Sequence, residues 1–201
     1  MHAALTKIIN ALGSLFIAKK GIETCQKGKT TRTLTALTLT VLTVVVVIAS
    51  IITLVNRIFI GQASTLSLFQ YHVGYALMQL AITLIGAAAM LLAAQILLYH
   101  ARDVSAETDT PYTASWIVSN LLQMLGELVF LFISTGGLLT LIASFGGHGF
   151  AMLGFGTASN ILVGIIALII APLIGGLVKL LFYFAAERVT LFTDIARNTK
   201  K

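Results

Sequence analysis

Four separate stretches of this chain are each long and apolar enough to cross a bilayer as a helix, and that leaves few folds open. A hydrocarbon core needs about 20 consecutive apolar residues in helical form. The stretches run from about Leu34 to Val55, Val73 to Leu98, Trp116 to Ala143 and Ile161 to Phe184. Backbone groups in lipid must be satisfied within the segment, which favours helices. The expected fold is therefore all-α: an integral membrane four-helix bundle spanning residues 34–185. A basic N-terminal segment, residues 1–33, precedes it and a basic tail, residues 186–201, follows. Composition agrees, because only 10% of the 201 residues are charged, against about 25% in soluble domains.

Orientation follows from the placement of lysine and arginine. Lys7, Lys19, Lys20, Lys27, Lys29 and Arg32 precede the first span, and Arg188, Arg197, Lys200 and Lys201 follow the last. The first connection has only Arg57, and the third has no basic residue. Two basic ends fit an even number of spans with both termini in the cytoplasm. The net charge of +6 sits beside apolar helices, so anionic lipid headgroups are the expected partner. Nucleic acid is not, because no compact basic domain with interleaved aromatics exists.

Both ends are expected to form amphipathic interfacial helices. Leu5, Ile8, Ile9, Leu12, Leu15 and Phe16 fall on one helical face, with Lys7, Asn10 and Ser14 elsewhere. Such a helix lies in the interface or docks on a partner subunit. In the tail, Val189, Phe192 and Ile195 share a face away from Glu187, Arg188 and Asp194.

The halves match locally at an offset of 84 residues, where Gln95–Ala101 falls on Lys179–Ala185. At an offset of 85, Ile48 meets Ile133 and Gly61 meets Gly146. A parallel repeat of two helix hairpins would produce this pattern.

Glu127 is the only acidic residue inside a span, and it lies near the middle of the third. An intramembrane charge costs about 2.5–3.5 kcal/mol on insertion scales, so Glu127 should face protein or water, or be protonated. Asn120, Gln123 and Glu127 lie three and four apart on one face. On the second span, Tyr75, Gln79 and Thr83 form a ladder four apart. Together they make a candidate intramembrane polar cluster, either a proton or cation relay or an interhelical hydrogen-bond cluster. No basic partner is expected at the depth of Glu127, because His100 and Lys179 fall near membrane boundaries in this reading.

Gly164, Ala167, Ala171 and Gly175 make a small-residue ridge on the fourth span, and Ala89 and Ala93 a shorter one on the second. Small residues let helices approach closely; the partner is an internal helix or another subunit. Pro172, beside Ala171, should kink the fourth helix and free a carbonyl near Leu168. The threonines of the first span can bond the carbonyl one turn back, so they need no ligand.

The chain has one cysteine, Cys25, so no internal disulfide forms. No metal-ligand spacing, cofactor motif, phosphate loop, nucleophile–base pair or paired carboxylate is present, and no enzymatic activity is expected. The stretch from Glu187 to Lys200, which includes Asp194-Ile195-Ala196-Arg197-Asn198-Thr199, resembles the tail of a group of small bacterial membrane proteins of unknown function. In these a helix hairpin ends in an amphipathic segment. The resemblance covers about a fifth of the chain and implies no activity or catalytic residue. The expected role is a non-enzymatic subunit or scaffold in a bacterial inner membrane, packed with other membrane subunits or as a homo-oligomer. The alternative is a small channel or proton-coupled transporter using Glu127.

Overall fold

A computed structural model describes residues 29–60, 64–69, 72–106, 113–145 and 161–199. The expected N-terminal amphipathic helix and the glycine-rich third connection lie outside the described residues. Five helices account for the described chain: α1 (Lys29–Phe59), α2 (Thr65–Phe69), α3 (Val73–Ala106), α4 (Thr113–Phe145) and α5 (Ile161–Thr199). α1, α3, α4 and α5 are each long and apolar enough to cross a membrane. The protein is a multi-pass integral membrane protein with an all-α, four-helix bundle fold.

Each long helix outlasts its apolar run. At about 1.5 Å per residue, α5 is about 58 Å long, against about 40–45 Å for a bilayer with headgroups. The fourth apolar stretch and the tail are one helix, unbroken at Pro172. Ala171, beside the proline, faces Gly137 of α4.

The helices pack as two hairpins. α4 lies most extensively against α5, and α1 against α3, while the α3–α4 seam is thinner. α1 and α4 start at Lys29 and Thr113, the same 84-residue offset at which the sequence halves match.

The α5 ridge is what lets its hairpin close. A Cβ on Gly164 would lie 2.5 Å from Ser144 Oγ, and one on Gly175 would lie 3.3 Å from the Phe130 ring. Gly137 opposes the ridge from α4, 2.6 Å from Ala167 O and from Ala171 Cβ on the same construction. The partner of Gly164, Ala167, Ala171 and Gly175 is therefore internal. Ala89 and Ala93 are buried on α3.

Outward faces are apolar. Leu37, Val44, Ile48 and Ile51 of α1, and Leu173, Leu177, Leu180 and Leu181 of α5, are all more than half or nearly half exposed, as lipid-facing side chains should be. Three of the α1 threonines bond their own helix: Thr38 to Leu34 O, Thr40 to Ala36 O and Thr43 to Leu39 O, each at 2.8 Å.

Leu39, Leu97, Ala101 and Met124 form one buried cluster. This places the beginning of α1, the end of α3 and the beginning of α4 at one face of the bundle. Ser119 Oγ donates to Ala186 O at 3.1 Å, which brings the last third of α5 to that face as well.

Candidate functional site: a histidine–glutamate–tyrosine centre between α3, α4 and α5

The strongest polar constellation among the described residues forms where those three helices meet. α4 contributes Asn120 and Glu127, seven residues apart and hence two turns along one face. α3 contributes His100, on the buried stripe that also holds Ala89, Ala93 and Leu97. α5 contributes Tyr183, and Lys179 one turn before it.

His100 is 3% exposed and bridges the two α4 side chains. Its Nδ1 lies 2.8 Å from Asn120 Oδ1, and its Nε2 lies 3.2 Å from Glu127 Oε2. Tyr183 donates its hydroxyl to Glu127 Oε1 at 2.6 Å. An amide oxygen only accepts, so Nδ1 carries a hydrogen and the second ring nitrogen is left facing the acid. One exchangeable proton then lies between Nε2 and Oε2. Held by the ring, it gives an imidazolium–carboxylate pair; held by the acid, an imidazole and a carboxylic acid. Both forms have zero net charge, which is how an acid is tolerated in a low-dielectric setting. Tyr183 donates to the other carboxylate oxygen in either form.

The centre is not sealed. Glu127 retains 26% side-chain exposure and lines a cavity of about 440 Å³ with Gln95, Tyr99, Phe130 and Lys179. The Lys179 ammonium lies 5.7 Å from the Phe130 ring centre and 5.3 Å from that of Tyr183, within cation–π range.

This arrangement corrects the sequence expectation in three ways. His100 does not face outwards but is buried as a partner of Glu127. Lys179 does not stand near the end of its helix, since α5 runs on to Thr199, and it lines the Glu127 cavity. Tyr75, Gln79 and Thr83 do not join Glu127. α3 and α4 run antiparallel, so these residues lie towards the other face, where Tyr75 shares a second cavity with Ala143 near the end of α4. Thr83 is 17 residues from His100 along α3, about 25 Å at helical rise, and donates to Gln79 O at 2.7 Å. Ser119, about two turns before Glu127, packs beside Ala186 and Thr190 of α5. Asn120 does join Glu127, through His100, and Gln123 is half-buried on α4.

No protein-family model, curated protein or solved structure matches this chain. The resemblance of the C-terminal stretch therefore transfers no residue role.

Proposed function

We propose that this chain is a non-enzymatic, proton-translocating membrane protein, a small channel or proton-coupled transporter, in which Glu127 and His100 load and release a proton. The observation that carries this is the 3.2 Å contact between His100 Nε2 and Glu127 Oε2, beside a cavity that reaches the acid. With one proton between them the two groups are neutral and bonded. A second proton leaves a bare imidazolium, and loss of the proton leaves a bare carboxylate. Either change puts net charge on the thinner α3–α4 seam and weakens the bond across it. Two hairpins hinged on that seam are a device by which protonation can bias one packing over another. The basic ends of α1 and α5 support a cytoplasmic location for the face nearest the centre, in a bacterial inner membrane.

The test is a pH gradient imposed across liposomes containing the purified protein and an enclosed pH-sensitive dye. Wild-type protein is expected to collapse the gradient faster than protein-free liposomes. Glu127→Gln is expected to return the rate to the protein-free value while leaving particle size and helicity unchanged. A wild-type rate equal to that of empty liposomes, or full activity in the Gln variant, contradicts the assignment.

A second function, that of a membrane subunit packing with partner proteins, is favoured by the far end of α5. Leu191, Phe192 and Ile195 are all more than half exposed there, beyond the charges at Glu187 and Arg188. The internal use of the α5 ridge removes the other support for it. Stoichiometric co-purification of other proteins in mild detergent would favour the subunit role; recovery alone would favour translocation.

A further inference from the structure

A second, larger cavity of about 840 Å³ opens between α1, α3 and α4, towards the end of the bundle away from Glu127. Its volume falls within the range of about 300–1,000 Å³ typical of pockets that enclose a small organic ligand. Its lining is graded. Arg57, Thr53, Tyr75 and Gln79 lie towards the ends of α1 and α3, and Ile82, Met90, Phe132 and Leu139 line the apolar remainder.

Two further observations mark it as a built site. The first is the charge of Arg57. No Asp or Glu occurs anywhere between Thr24 and Arg102, or between Leu128 and Ala186, so the helix ends at this face offer the guanidinium no counter-ion. Arg57 is the only Lys or Arg between Thr33 and Ala101. The second is glycine placement. Gly86 of α3 and Gly136 of α4 both line the cavity, and a Cβ on either would meet nothing within 4 Å. Glycine in membrane helices commonly lets two backbones touch, as Gly137 and Gly164 do here. Gly86 and Gly136 bring no backbone into contact; they leave room.

We propose that this cavity binds one long-chain amphipathic anion, a fatty-acid-type carboxylate. Its head pairs with Arg57 and hydrogen-bonds towards Tyr75 and Gln79. Its chain lies along Ile82, Met90, Phe132 and Leu139, between Gly86 and Gly136. A guanidinium fork suits a carboxylate, which it can bind through two parallel hydrogen bonds. The site needs no proton transfer at Glu127, so it stands or falls separately from the translocation function.

The probe is palmitate, titrated into the full-length protein in zwitterionic phosphatidylcholine nanodiscs, with methyl palmitate and acetate as comparisons. Palmitate is expected to saturate at one per protein above the partition seen in empty nanodiscs. Methyl palmitate lacks the charge and acetate the chain, so each should bind at least about tenfold more weakly. Arg57→Gln should weaken palmitate binding by about tenfold or more. Gly86→Leu should abolish it, because the new side chain enters the cavity without meeting the helix opposite. The thermal transition of Gly86→Leu, at or above that of wild type, checks that the variant is folded. Equal binding of palmitate and its methyl ester, unaltered binding in folded Gly86→Leu, or uptake no greater than in empty nanodiscs overturns the proposal.

Discussion

Gly137→Leu is expected to separate α4 from α5 and cost more than about 3 kcal/mol, while Gly136→Leu leaves the protein folded. The two glycines are neighbours in sequence and opposite in surroundings. Any Cβ on Gly137 falls 2.6 Å from Ala167 O and Ala171 Cβ. One obstacle is backbone and the other is the first atom of a side chain, so neither can swing aside. Overpacking usually costs about 1–3 kcal/mol when side chains can adjust. Here the helices themselves must part, and the contacts along Gly164, Ala171 and Gly175 go with them. Gly136 has open space where its Cβ would stand, and leucine is the better helix former by up to about 1 kcal/mol. Titration with sodium dodecyl sulfate, followed by circular dichroism, measures both variants. Equal loss in both would mean that the α4–α5 contact is not the one described.

Glu127→Ala is expected to be far more damaging than Glu127→Gln. Alanine removes the acceptor of Tyr183 and the partner of His100 together, leaving a ring that is 3% exposed without its bond at Nε2. Leaving a buried ring nitrogen unpaired in this way costs about 1–3 kcal/mol, and the Tyr183 hydroxyl loses its acceptor as well. Glutamine keeps the shape: its oxygen can accept from Tyr183 and its amide can donate to Nε2. The Gln variant should therefore retain most of the wild-type stability and lose only the exchangeable proton. The same detergent titration separates the two. Equal destabilisation by Ala and Gln would show that the ionised carboxylate, rather than the hydrogen-bond geometry, holds the three helices together.

The spans were legible in the sequence because nothing but a membrane helix accommodates runs like Leu34–Val55 or Ile161–Phe184. Their full lengths were not. The polar turns after Leu98 and before Trp116 stay helical and pack: Ala101 and Val104 of the first and Thr113 of the second are buried. The α5 ridge was readable from its spacing, yet the opposing Gly137 was not singled out, since Gly136 and Gly137 stand side by side and form no obvious stripe. His100 was missed because Arg102, two residues on, makes it look interfacial. The available signal was phase: His100 continues the face of Ala89, Ala93 and Leu97. The grouping of Tyr75, Gln79 and Thr83 with Glu127 failed on register. Consecutive spans run antiparallel, so residues early in one lie level with residues late in the next. Tyr75 therefore sits near Ala143, and Glu127 lies level with the end of α3.

Proton loading and release at the Glu127–His100 pair is directly observable by nitrogen NMR of ¹⁵N-histidine-labelled protein in bilayers, between about pH 5 and 8. His100 is expected to carry its hydrogen on Nδ1, its Nε2 signal to move as a proton is exchanged, and Glu127→Gln to change that movement. A His100 signal fixed in one form across the range, and unaltered by Glu127→Gln, would contradict it.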